Sequence, residues 1–314
     1  MASLKTVVVT ALMASAYALP PVQRVSARRL KYHSLAVRQN AAAEKQGLSD
    51  VGILQFALTL ENLESSFYRE GFAKFPDAEF AALGLNERAI SDLKSIGKTE
   101  EQHVGLLQSA VAQAGIQPVQ PCTYNFNLTD AKSMVATAAV LENVGVSAYL
   151  GAAPLVSDKG ILTTAASIVT IESRHQSAIR IFSGTSAIPQ AFDAPLNPRS
   201  VFTLAAPFIK ECPQGSNLVI QPFPALSMDS PGPAQVGSTI SVTAANTAEA
   251  KFCAFTSGGV SPGGTMFTPL TDGRNCVVPS VAGVSYLSLT KEAPLDGVLK
   301  DDLILAGPMV VTVT

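Results

Sequence analysis

Leu60-Glu-Asn-Leu-Glu-Ser-Ser-Phe-Tyr68 and Leu141-Glu-Asn-Val-Gly-Val-Ser-Ala-Tyr149 share a pattern: Leu-Glu-Asn, with a tyrosine seven residues after the first glutamate. Each stretch is followed by a Glu-x-x-His motif, Glu100-Glu-Gln-His103 after the first and Glu172-Ser-Arg-His175 after the second. The chain therefore repeats a two-helix unit, a helix with one glutamate and then a helix with Glu-x-x-His. On a helix, residues three apart share a face, so each Glu and its His can grip one ion. Two such units folded antiparallel bring four glutamates and two histidines to one interior point, the arrangement used by di-metal carboxylate bundles.

The surroundings of these glutamates favour that reading. Glu61 falls on an apolar stripe with Ala57, Glu142 lies inside Ala-Ala-Val-Leu-Glu-Asn-Val, and Glu172 inside Ile-Val-Thr-Ile-Glu. An ionised carboxylate turned toward an apolar core costs several kcal/mol unless it is paired or bound to metal. A single Glu-x-x-His is commonly structural; four elements in this order, two of them duplicated with their tyrosine, are not. The candidate metal ligands are Glu61, Glu100, His103, Glu142, Glu172 and His175. Hard oxygen donors with a minority of imidazole suit iron or manganese, two ions per site, with zinc as the other metal the donor set admits. Glu101 neighbours Glu100 on a different face and is expected in solvent, as is Arg174. Glu64, one turn from Glu61, can stand behind the ligands, but a surface or rim position is expected. Tyr68 and Tyr149 can either hydrogen-bond a ligand or serve as core residues.

Residues from 49 to about 210 read as helices. Apolar positions recur at threes and fours from Ile53 to Phe67, with Ser49 and Asp50 as cap. Further helices are expected over 86–113, from Thr129-Asp130 to about 150, and over 159–182. Asn197 and Pro198 can open a short fifth. A four-helix bundle follows. After Cys212 proline and glycine become dense, and short alternating runs appear at 238–244, 251–257, 284–289, 302–306 and 309–313. These predict an Ig-like β-sandwich of about seven strands. The expected organisation is a signal peptide over 1–18, a linker or pro-segment over 19–47, the bundle over 48–212 and the sandwich over 218–314, with the boundary near Asn217.

The N-terminus carries one cation, Lys5, then an uncharged run ending in Ala16-x-Ala18, as in a secretory signal cut after Ala18. That run is short for a bilayer of about 30 Å, so no stable membrane insertion is expected. Export permits disulfides, and the four cysteines are expected to pair as Cys122–Cys212 and Cys253–Cys276. Asn127-Leu-Thr129 is a glycosylation acceptor. The 314 residues are 47% hydrophobic, 15% charged and of net charge −2, without a basic block. That excludes a nucleic-acid binder, which needs a cationic surface. The second half holds no histidine, and its acidic residues are scattered. Docking on wall polysaccharide or another copy of the chain is open to it, although the absence of tryptophan disfavours sugar stacking.

The Leu-Glu-Asn-Leu-Glu-Ser-Ser-Phe-Tyr and Glu-Glu-Gln-His helices, the 138–154 segment and Ile-Glu-Ser-Arg-His-Gln resemble the secreted ferritin-like domain proteins of fungi, a group related to desiccation- and stress-response proteins. The resemblance covers roughly residues 49–212 and extends to the β-rich tail. It implies that the six residues above are di-iron ligands, with Glu100 and Glu172 bridging. It does not carry over the iron-storage cage, which secretion and a fused β region oppose. Two functions are expected to compete. One is a di-metal centre that reacts with O2 or peroxide, as a ferroxidase, oxidase or catalase does. The other is a non-catalytic secreted protein that sequesters metal or acts at the cell surface.

Overall fold

A computed structural model describes residues 48–214, 216, 220–245 and 247–314. The expected signal peptide, the linker and the Asn217 boundary lie outside the described residues.

Four long helices form the first half: α1 (Asp50–Lys74), α3 (Glu87–Gln113), α4 (Ala131–Ala152) and α5 (Lys159–Phe182). Each begins where a short polar side chain satisfies an otherwise orphaned amide. Ser49 accepts from Gly52, Asn86 from Ala89 and Asp158 from Ile161. Asp130 and Ser133 form a reciprocal capping box. Helices α3 and α5 end just before Gly115 and Gly184, both at positive φ. The short α2 (Asp77–Ala82), which no periodicity foretold, plugs the loop after α1 with the fully buried Phe80. Helix α6 (Pro198–Ala205) starts at the expected Asn197 cap and Pro198.

The bundle is built from two tight pairs, α1 on α3 and α4 on α5, joined by the long crossover between Gln113 and Ala131. A single long crossover of this kind is a known bundle topology. The extended helix of residues 131–155 is long and apolar enough to span a bilayer, but 67% of its most apolar window is buried inside the protein. It is a core helix of the bundle. One apolar cluster, including Phe67, Leu93, Met134 and Ile179, fills one end of the bundle, and a second, with Leu58, Leu107, Val111 and Ile168, fills the other. Asp50 ties the helix starts together by accepting from the amides of Ser157 and Asp158.

Two short strands, β1 (Thr123–Tyr124) and β2 (Ile209–Glu211), pair antiparallel beside the Cys122–Cys212 disulfide. The second half is a ladder of seven antiparallel strands in the order β3 (Leu226–Met228), β4 (Thr239–Ala244), β7 (Asn275–Val277), β6 (Thr265–Thr271), β5 (Phe252–Ser257), β8 (Gly283–Thr290) and β9 (Ile304–Val313). The five expected alternating runs fall on four of these strands, β4, β5, β8 and β9, with residues 302–303 in a 3-10 turn before β9. The runs at 302–306 and 309–313 merge, because Pro308 is accommodated within β9. The β6–β7 hairpin was unforeseen.

The sheet departs from the expected Ig-like sandwich of two facing sheets. It is one continuous ladder that curls until its two ends approach each other, nearly a barrel. Gly307 donates to Pro224 O just before β3, and Ala234 donates to Thr312 O on β9. Strands two apart in a flat sheet stand about 9.5 Å from each other. Yet Cys253 on β5 and Cys276 on β7 have Cα atoms only 5.8 Å apart, although β6 runs between them in the ladder. Both cysteines are fully buried with Phe255, Leu287, Leu289 and Val311.

Candidate metal centre

Helices α1, α3, α4 and α5 each contribute to one polar cluster midway along the bundle. The structure brings all six predicted residues together. Glu100, Glu142 and Glu172 are fully buried, Glu61 is 1% exposed, and both histidines are buried. The cluster forms two overlapping groups, each with its potential ligand atoms within 4.8 Å of one another: Glu61, Glu100, His103 and Glu172, and Glu100, Glu142, Glu172 and His175. Glu100 and Glu172 belong to both groups.

His103 Nδ1 stands 3.3 Å from Glu61, 3.2 Å from Glu100 and 3.2 Å from Glu172. His175 Nδ1 stands 2.7 Å from Glu100 and 3.2 Å from Glu142. Glu100 faces the two rings with different oxygens, Oε2 toward His103 and Oε1 toward His175. The rings lie 6.1 Å apart. The far nitrogen of His175, Nε2, is 2.8 Å from the Thr99 hydroxyl, which itself donates to Ile96 O. Thr99 therefore accepts from Nε2–H. That bond holds the ring by its far side and leaves Nδ1 facing the carboxylates, as outer partners do for metal-bound imidazoles.

The tyrosines of the repeat cross over. Tyr149 on α4 donates to Glu61 on α1 at 2.5 Å, and Tyr68 on α1 donates to Glu142 on α4. Each hydroxyl thus serves the glutamate of the other unit, and occupies Oε1 while Oε2 is left turned inward. Each Tyr is two turns from its own Glu along the helix, so only the pseudo-twofold folding brings it to the opposite one.

Apart from these imidazole–carboxylate contacts, the inward atoms make no well-aligned hydrogen bond. Among the described residues, Glu61 Oε2, Glu100 Oε1, Glu142 Oε2, both oxygens of Glu172 and His175 Nδ1 are buried without a hydrogen bond. Buried polar atoms in native proteins are nearly always satisfied, so a concentration of orphans marks a place for something else. Five carboxylate oxygens and an imidazole nitrogen around one space form a donor set that could hold metal.

The proton equilibria show the same strain. Burial pushes Glu61 up to about 8, aided by the neighbouring Glu100. Burial also raises Glu172 and Glu142, with Glu100 reinforcing both. Burial opposes charge on the imidazoles, but the carboxylates facing them win and push His103 to about 12 and His175 to about 10. For Glu100, burial acts upward, but hydrogen bonding with both histidines outweighs it and holds the group down at about 2. Protons thus gather where cations would, and metal binding would displace them.

Glu101 and Arg174 are exposed, as expected. Glu64 is not at the surface: it is 4% exposed and buried beside the cluster. The error came from periodicity, because a glutamate one turn from a ligand reads as the polar edge of the stripe. Thr99 was missed, although it sits one turn before His103 and immediately before Glu100. A further network joins the halves. Gln176, next to His175, donates to Asn143 Oδ1, and Asn143, next to Glu142, donates to the Tyr286 hydroxyl at 2.5 Å. Ser147 also hydrogen-bonds Tyr286 at 2.7 Å. Tyr286 belongs to β8, over a hundred residues away, and no local signal announces it.

Residues 49–185 match the family model of the ferritin-like domain. The chain is similar to Protein rds1 of Schizosaccharomyces pombe, at 28% identity over 183 residues that make up 58% of this chain and 45% of rds1. The chain thus spans less than half the length of that relative. Both comparisons fall on the same part of the molecule as the cluster: the helical half of this chain is a ferritin-like region whose buried Glu and His groups could hold metal.

Proposed function

We propose that Glu61, Glu100, His103, Glu142, Glu172 and His175 hold a binuclear iron or manganese centre, and that the exported protein uses it to react with O2 or peroxide under stress. The observation that carries this reading is the convergence of orphaned carboxylate oxygens in an otherwise apolar bundle. Bound iron or manganese would supply polarisation of the oxygen species and a change of redox state. The chain's own residues supply the rest. Glu100 and Glu172 can span both positions, because each belongs to both groups. Tyr68 and Tyr149 orient the terminal carboxylates, Thr99 orients His175, and the apolar clusters at either end keep bulk water out. Four glutamates balance two divalent cations, so the centre can be neutral in a low-dielectric interior. The two disulfides support an oxidising compartment, and with it export.

Elemental analysis of the protein from its native secretion should give two iron or manganese ions per chain, and Glu142→Ala should lose them. Protein that carries no metal under any loading condition would end this reading, as would Glu142→Ala that still holds two ions. Metal-loaded protein should then consume O2 with Fe2+ or disproportionate peroxide. Silence in both assays with tight metal retention would instead favour sequestration.

A further inference from the structure

Position by position, the two repeats match Glu61 with Glu142, Asn62 with Asn143 and Tyr68 with Tyr149. Between them Glu64 is matched by Gly145. Between the glutamate and the tyrosine of each repeat, the match of acidic residues fails here: a carboxylate on α1 has no counterpart on α4.

The two residues meet in space. A methyl group on Gly145 would lie 2.6 Å from Glu172 Oε2 and 3.1 Å from Glu64 Oε1, so no other residue fits there without moving a carboxylate. The missing side chain on α4 leaves room that Glu64 and Glu172 both border, with Glu64 just outside the two close groups. Among the described residues no donor is hydrogen-bonded to the Glu64 carboxylate, although it is 96% buried by its 4% exposure. Burial, and then the charge of Glu172, push Glu64 well above the ordinary carboxylate range. A buried, partnerless carboxylate with a place cleared for it carries a cost that selection removes unless the group is used. Glu64 also lines two narrow clefts. One of about 40 Å³ is lined by Ile53, Leu107, Ile161 and Ala165 together with Glu61 and Glu64; the other, of about 10 Å³, includes Leu204.

We infer that Glu64 is a seventh metal ligand, a fifth carboxylate that Gly145 admits on one side only, so that the two metal positions are chemically unequal. The inference rests on the binuclear reading above. A site of five carboxylates and two imidazoles is richer in hard oxygen than the symmetric set of four and two. The excess lies at the end of the cluster that the larger cleft reaches.

The test is calorimetric titration of the chelator-stripped full chain with Mn2+ alone, comparing the unaltered protein with Glu64→Gln. Glutamine keeps the shape and leaves no buried charge, and circular dichroism checks that the bundle is retained. The unaltered protein should take up two Mn2+ in two distinguishable steps. In Glu64→Gln one step should weaken about tenfold or more while the other keeps its affinity. Equal affinities in the two proteins, or equal weakening of both steps, would overturn the assignment. Crystals of the unaltered protein soaked in Mn2+ give a second reading, independent of any variant. Anomalous scattering should place a Glu64 oxygen about 2.2 Å from one ion only, and a Glu64 carboxylate out of reach of both ions overturns the assignment. Absence of Mn2+ uptake by the unaltered protein would instead sink the binuclear reading, and this inference with it; normal uptake with an indifferent Glu64→Gln sinks this inference alone.

Discussion

The two halves of the molecule bury different kinds of polar group in their cores. The sheet interior holds a disulfide and aliphatic side chains, and its fully buried polar residues include the hydroxyls of Ser285, Ser288 and Thr290. The bundle interior holds Glu61, Glu64, Glu100, Glu142 and Glu172 with two histidines, several of their atoms unsatisfied. A covalent cross-link stabilises by constraining the unfolded chain and asks nothing of the native interior. A cluster of buried carboxylates lowers stability until a cation arrives. The contrast separates a half whose core serves folding from a half whose core carries acidic and imidazole groups that could hold metal.

Four measurements test that contrast. The largest effect is expected from the covalent links. Replacing Cys122 and Cys212 by serine opens a 90-residue separation that encloses α4, α5 and α6. By chain entropy this should cost about 4.5 kcal/mol, against about 3.5 kcal/mol for the Cys253–Cys276 link across 23 residues. Denaturant unfolding of the two double variants should rank them in that order; the reverse order would show that the sheet leans on its staple more than the bundle does.

Stripping metal comes next. With ligand at a thousandfold its dissociation constant the loss is about 4 kcal/mol. Hydrogen exchange should localise it to α1, α3, α4 and α5 and leave β5 and β8 protected as before. Uniform loss of protection would mean that the halves unfold as one unit.

Tyr286→Phe attacks the join. It removes the hydroxyl that accepts from Asn143 Nδ2 and bonds Ser147, which leaves a buried amide unpaired at about 2 kcal/mol. The same change should disturb the alignment of Asn143 and Gln176 beside Glu142 and His175, read as weaker Mn2+ binding. A drop in stability without any change in metal affinity would confine Tyr286 to packing. The smallest effect is expected from Tyr149→Phe, which frees Glu61 Oε1 and should weaken one metal step about tenfold. Its mirror, Tyr68→Phe, should weaken the other step. If both variants weaken the same step, the crossed pairing is functionally irrelevant.

Much of this was legible in the chain because it is local. Caps, glycine stops and the spacing of Glu-x-x-His are consequences of 3.6 residues per turn, and they placed four helices to within a few residues. The six clustered side chains were readable for a different reason: duplication. One Glu-x-x-His means little, but a repeated unit carries its own internal control. Glu64 shows the limit. Its spacing from Glu61 says that both lie on neighbouring parts of one helix face, but whether that part meets solvent or a vacancy depends on Gly145, on another helix. The hairpin of β6 and β7 escaped because Thr265–Thr271 contains Pro269 and lacks clean alternation, while the curl of the sheet depends on how β3 meets β9.

The amino-acid order by itself determined the two-textured chain, the positions of the long helices, the two cysteine pairs and the identity of the six residues that meet. Those follow from hydrophobic period, capping chemistry and repetition, which act over a few residues or within one element. Only the tertiary structure decided that each tyrosine serves the opposite glutamate and that Thr99 holds the ring of His175 by its far side. It also decided that Tyr286 reaches from a strand into the bundle, and that Glu64 lies inside. Each of these is a contact between elements, and a side chain's partners across an interface are set by the packing of both surfaces.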